Sequence, residues 1–273
     1  METTPLQLFL AALAAAAGGA VNAIAGGGTL ITFPTLIALG IPPIVANATS
    51  SVALWPGTIA SMWGYRGELA GARSWAVRFA VPSLLGGIAG AVLLLRTPPD
   101  RFSAMVPFLV LGATLLFIAQ APLARFLQAR REAAGGSVTR EATAHAVTAG
   151  ATLAPPAVSL LVYQFLVSVY GGYFGAGMGI LMLAALGFMG LRNIHQMNGL
   201  KNWGATCINL VAVSIFAATG IILWPIALVM AVGAAAGGYA AAGLAQRVSQ
   251  QTIRRLVIVI GLASAGWLLL DRA

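Results

Sequence analysis

Two groups of polar residues interrupt an otherwise apolar chain. The first runs from Asn22 through Gly26, Gly27, Gly28 and Thr29 to Thr32 and Pro34, and resumes at Asn47, Thr49, Ser50 and Ser51. The second runs from Tyr170 and Tyr173 through Gly175, Gly177 and Gly179. It resumes at Arg192, His195, Asn198, Lys201, Asn202 and Trp203. Each is a glycine-rich break followed by a short apolar run and then a cluster of amides and hydroxyls. A helix N-terminus offers free backbone N–H groups and a partial positive charge, and glycine lets an oxyanion approach them. Lys201 is the only lysine. On a helix it shares a face with Asn198, three residues back, while Asn202 shares a face with Asn198 at four. One ammonium flanked by amide donors suits a small oxyanion. The candidate substrate-binding residues are therefore Asn22, Gly27, Gly28, Thr29, Asn47, Thr49, Ser50, Tyr173, Gly177, Gly179, Asn198, Lys201 and Asn202. Each has a plainer reading. Such glycines commonly pack helices together in membranes. A lysine near a helix start can snorkel to the interface. His195, His145, Trp55, Trp63 and Trp203 read first as interfacial residues.

The elements that must hold these residues are membrane-spanning. Of 273 residues, 59% are apolar and 8% are charged, against roughly 25% charged in a soluble domain. A water-facing surface cannot be built from so few charges, so the surface faces lipid. The net charge of +9 sits in short gaps between apolar runs and has no basic stripe with interleaved aromatics, which argues against nucleic acid as a partner. The first basic residue is Arg66, so no signal peptide is expected and Leu6 to Ala25 reads as a spanning helix.

Ten helical segments are expected, at 6–25, 28–40, 44–64, 75–95, 102–120, 143–170, 175–190, 195–218, 222–245 and 252–271. Eight are long enough to span at about 1.5 Å per residue, and the second and seventh are short. The chain also repeats itself at one spacing of 151 residues. Gly26 and Gly28 match Gly177 and Gly179, Asn47 matches Asn198, Gly86-Gly87 matches Gly237-Gly238, and Arg96 matches Arg247. The polar stretch 121–142 reads as a cytoplasmic loop joining two transmembrane repeats, residues 1–120 and 143–273. If all ten segments cross, twelve basic residues fall on one side and three on the other. The positive-inside rule then places both termini outside and the loop in the cytoplasm. Five crossings per repeat make the repeats inverted, a known transporter plan. The expected fold class is thus an all-α polytopic membrane protein of two five-segment inverted repeats.

The six acidic residues fall at ends or in gaps, and none lies mid-helix. That argues against metal transport, a buried proton-relay carboxylate and metal-dependent phosphotransfer. Neither histidine lies deep enough for an intramembrane serine protease. Cys207, alone in an apolar run, offers neither a disulfide nor a thiolate metal site within the chain. No catalytic residues, cofactor or metal are expected.

With these residues set out, the chain resembles the sulfite exporter TauE/SafE family of membrane permeases over nearly its whole length. In the first half this rests on the run from Ala25 to Pro34, on Gly40-Ile-Pro-Pro43, and on Asn47-Ala-Thr-Ser50. In the second it rests on Gly175 to Gly179, Asn198 to Asn202, Trp224-Pro225, and Gly237-Gly-Tyr239 before Arg247. The order and duplication of these motifs carry the resemblance. Many relatives show Gly-Thr-Asn-Lys where this chain has Asn47-Ala-Thr49-Ser50-Ser51, so this chain keeps a lysine in its second half alone. The resemblance implies a secondary transporter, exporting a small sulfur-containing anion such as sulfite, thiosulfate or an organosulfonate across a bacterial-type inner membrane. The lipid bilayer and the anion are its expected partners. A homodimer packed through glycine-rich faces is compatible with the sequence, as is internal packing of the same faces. Uptake of another solute is one alternative, and a non-transporting membrane scaffold subunit is another.

Overall fold

The computed structural model describes residues 4–24, 27–70, 72–133, 156–188, 191, 194–244 and 250–270. Among them the ordered elements are all helices: α1 (Pro5–Ile24), α2 (Thr29–Ala38), α3 (Pro43–Gly64), α4 (Arg66–Ala70), α5 (Arg73–Arg96), α6 (Pro99–Ala133), α7 (Val158–Tyr173), α8 (Met178–Phe188), α9 (Ile194–Ala218), α10 (Trp224–Leu244) and α11 (Gln250–Leu270). The short α2 and α8 stand where the pattern places them. Local chemistry sets the bounds of α2. It begins after Gly28 and ends at Leu39–Gly40, where Gly40 takes φ +81° and Ile41 N–H reaches back to the Leu36 carbonyl. Such a left-handed residue satisfies the last carbonyls of a helix. Pro42 and Pro43 then forbid continuation, and Pro43 opens α3 at the one position where proline costs nothing.

Three differences from expectation have physical causes. Helix α6 does not stop near residue 120 but runs 35 residues to Ala133, so the first part of the stretch read as a loop is helical. Its Leu, Ala, Arg, Gln and Glu are strong helix formers, and polarity alone misreads them as a loop. Residues 134–155 lie outside the described set, which includes the rest of that loop and much of the expected start at 143. Helix α4 is an additional turn of helix. Only four described helices combine spanning length with strong hydropathy, in α1, α5, α6 and α9, against the eight anticipated by length. Helix α3 is 22 residues long but carries Asn47, Thr49, Ser50 and Ser51 and is less apolar. The described apolar runs in α7, α10 and α11 have 10–17 residues.

The packing is reciprocal. Helix α1 lies along α10, and α5 lies along α7; α3 meets α10, and α9 meets α5; α6 pairs with α11, and α3 with α9. Helices α9, α10 and α11 each start 151 residues after α3, α5 and α6. Glycine makes the two closest pairings. A methyl group at Gly237 would collide with the Ala16 carbonyl and one at Gly90 with the Val169 carbonyl. Backbones approach this closely in membranes because apolar burial does not drive helices together there, leaving dispersion as the main attraction. The opposite faces are exposed and apolar, with Leu6, Phe9 and Leu13 on α1 and Val77, Val81 and Leu85 on α5. Such a surface fits lipid contact.

Gly90→Val and Gly237→Val are expected to lower the thermal midpoint of the detergent-purified protein, each by roughly 1–3 kcal/mol of overpacking. Gly57→Ala, with nothing within 4 Å of the added carbon, should leave the midpoint unchanged or raise it.

Candidate functional site

The break between α7 and α8 is the most fully constrained feature. Gly175 and Gly177 turn it with φ of +79° and +80°, angles that cost residues with a Cβ. In a lipid-embedded protein every carbonyl freed by such a break needs a donor. Each is supplied. The Tyr170 carbonyl accepts from Phe174 and Gly175 N–H, the Gly175 carbonyl from Met178 N–H, and the Gly177 carbonyl from Ile180 N–H. The Tyr170 hydroxyl donates to the Ala176 carbonyl. The Tyr173 carbonyl accepts from Asn47 Nδ2 at 3.0 Å, across 126 residues of sequence.

Asn47 is 1% exposed. Its Oδ1 is buried without a hydrogen-bond partner, which costs roughly 1–3 kcal/mol. Eight residues further along α3, the Trp55 indole N–H is likewise buried and unpartnered. At the other end of the break, Gly179 carries the Lys201 stem, with Cδ only 3.2 Å from where a Cβ would stand. No described residue forms an ion pair or hydrogen bond with the Lys201 ammonium. The seven-residue span from Tyr173 to Gly179 is therefore bracketed by Asn47 from α3 at its start and Lys201 from α9 at its end.

Both glycine breaks also meet α6 on the same turn. Gly27, at φ +103°, faces the Phe117 ring, and Gly177 faces Leu116 and the Ala113 carbonyl. The first break is closed on its other side, since Gly28 sits against the Gly18 carbonyl and Asn22 Cβ. The side-chain faces of Gly27 and Gly28 are thus filled by protein, leaving only their N–H groups to offer a ligand.

The other sequence candidates divide. Ser50 bonds Thr32 at 2.6 Å, tying α3 to α2. The Thr49 hydroxyl accepts from Leu223 N–H at 3.2 Å, just before α10 begins. These two hold helices. Thr29 is half-buried at the start of α2, and Asn22 is half-buried in the last turn of α1. Asn198 is half-buried in the first turns of α9. Asn202 is buried. Tyr173 turns its hydroxyl toward Thr97 and Met105, so its carbonyl rather than its phenol faces Asn47. Trp203 donates to the Ala76 carbonyl and is a tie between α9 and α5. His195 is exposed, and Cys207 is buried. Among the described residues no cluster of metal-ligating side chains occurs.

The sequence reading missed one polar group. Gln164 on α7, 1% exposed, donates to Ser83 on α5 at 3.0 Å and to Ser168 at 3.3 Å. Gly204 on α9 faces both Gln164 and Ser83, one turn beyond Lys201. A lone glutamine in the middle of an apolar segment was the available signal. The matching positions 151 residues away, Leu13, Ala234 and Ala17, are apolar. The two halves therefore differ in chemistry where they agree in shape.

Comparison with known proteins now fits this geometry. The model of the family described as "Sulfite exporter TauE/SafE" matches residues 10–268. The chain is 27% identical over 271 residues to a "Probable membrane transporter protein" of Sinorhizobium sp, covering 97% of this chain and 92% of that protein. It is 28% identical over 255 residues to one of Haemophilus influenzae, covering 92% and 90%. It is 26% identical over 270 residues to that of Escherichia coli K12, YfcA, covering 98% and 91%. No solved structure matches it.

Gly179→Ala is expected to push the Lys201 stem aside and raise the half-saturating substrate concentration several-fold without lowering the yield of folded protein. In a Lys201→Ala background the same change should add nothing, and a double-mutant cycle of transport rates checks it.

Proposed function

Because the chain belongs to the sulfite exporter TauE/SafE family of multi-pass membrane proteins, we propose that it is a secondary transporter exporting a small sulfur-containing anion, such as sulfite, thiosulfate or an organosulfonate. The observation that carries the reading is Lys201. It is the only lysine, it lies against the start of α8, and no described carboxylate neutralises it. An unneutralised cation beside a helix N-terminus attracts an anion.

The reciprocal packing supports two inverted repeats that rock about a shared site, with both termini periplasmic and the polar 121–142 region cytoplasmic in a bacterial inner membrane. The substrate then binds where the breaks approach α6, held by Lys201, Asn198, Asn202 and the Thr29 and Gly179 N–H groups. Export needs no coupling ion. An inside-negative potential drives an anion outward by about 2.3 kcal/mol per charge per 100 mV.

Counterflow in proteoliposomes tests this. Labelled sulfite, thiosulfate or a sulfonate should exchange saturably, and Lys201→Ala should reduce the rate at least about tenfold with the protein still folded. Exchange at the wild-type rate in Lys201→Ala would remove the site, and no exchange of any of these anions would remove the substrate class.

A further inference from the structure

The unpartnered oxygen of Asn47 says something about the form of the anion, given the transport reading above. The amide can point only one way. Its Nδ2 faces the Tyr173 carbonyl at 3.0 Å, and exchanging the two ends would set oxygen against oxygen. Oδ1 is therefore a fixed acceptor, and it is buried and unpartnered. A fully deprotonated oxyanion offers acceptors alone. It would suit Lys201 and be repelled by Asn47.

We propose that the transported species carries a hydrogen-bond donor as well as its negative charge, an O–H or N–H that meets Asn47 Oδ1 while Lys201 takes the charged oxygens. The two groups stand at opposite ends of one short break, on α3 and α9, which pack on each other. On this proposal one small molecule lies along the break between them. The species favoured is a singly protonated acid anion or an anion with an amino or hydroxyl group, over a bare dianion or an alkylated one. Asn47 Oδ1 is sealed in this conformation, so the donor enters when α3 and the break part during the cycle. The donor then satisfies an acceptor that otherwise stays unpaired, and selectivity for it comes from that difference.

Two tetrahedral monoanions of nearly equal size isolate the effect. Sulfamate carries an N–H donor where methanesulfonate carries a methyl group. In proteoliposomes of the full chain exchanging labelled sulfite, sulfamate should compete at a concentration about 5-fold lower than methanesulfonate, the equivalent of roughly 1 kcal/mol for one net hydrogen bond. Asn47→Leu should bring the two to equal potency. A preference for sulfamate that persists in folded Asn47→Leu overturns the role of Asn47. Should that variant fail to fold, the wild-type comparison decides. Equal potency, or no competition from either while sulfite exchanges, overturns the donor requirement and leaves the transport reading standing. Absence of exchange by any sulfur anion overturns both.

Discussion

The hydrogen bond from Asn47 to the Tyr173 carbonyl is the contact on which the candidate site depends. A helix that stops inside a membrane frees carbonyls where no water can serve them. The break after α7 satisfies the Tyr170, Gly175, Ala176 and Gly177 carbonyls from within its own segment, using backbone N–H groups and the Tyr170 hydroxyl. The Tyr173 carbonyl is served from the opposite half of the chain. Without that donor the Tyr173 carbonyl would be left unpaired, at a cost of about 1–3 kcal/mol. The bond therefore couples the two halves at the point where one of them departs from regular helix. Its other consequence is the unpaired Oδ1, an acceptor kept in reserve within the fold.

The halves share a frame and differ in chemistry. Three helix starts recur at one spacing and the packing partners exchange in kind. Yet Ser50, bonded to Thr32, stands where the second half has Lys201, and the Gln164 group has apolar counterparts in the first. A symmetric frame supplies two breaks against one turn of α6. Asymmetric side chains set the Lys201 ammonium beside one of them and a Ser50–Thr32 tie beside the other.

Much of this was legible in the sequence for reasons that are themselves physical. Gly27, Gly175 and Gly177 take positive φ where the runs of helix are interrupted, Pro42 and Pro43 fix where α3 starts, and scarcity of charge fixes the solvent as lipid. The extension of α6 to Ala133 was not legible, because polarity suggested a loop where propensity favoured helix. The partners of Thr49 and Ser50 were not legible either, since only the fold brings the Leu223 N–H and the Thr32 hydroxyl to them. Asn47 could be singled out, but its partner lies 126 residues away and only the fold identifies it. The Gln164 cluster spans α5 and α7 and becomes a cluster only when those helices pack.

Lys201 gives the most direct test of the central claim, that an anion binds at the ammonium beside the α7–α8 break. Since it is the only lysine, an amine-reactive reagent can modify the purified protein only there and at the N-terminus. Mass spectrometry can follow the two sites separately, with and without saturating sulfite, thiosulfate or a sulfonate. The account predicts that a transported anion slows modification of Lys201 and leaves the N-terminal amine unaffected. Equal rates at Lys201 with and without an anion that the same preparation transports would contradict it.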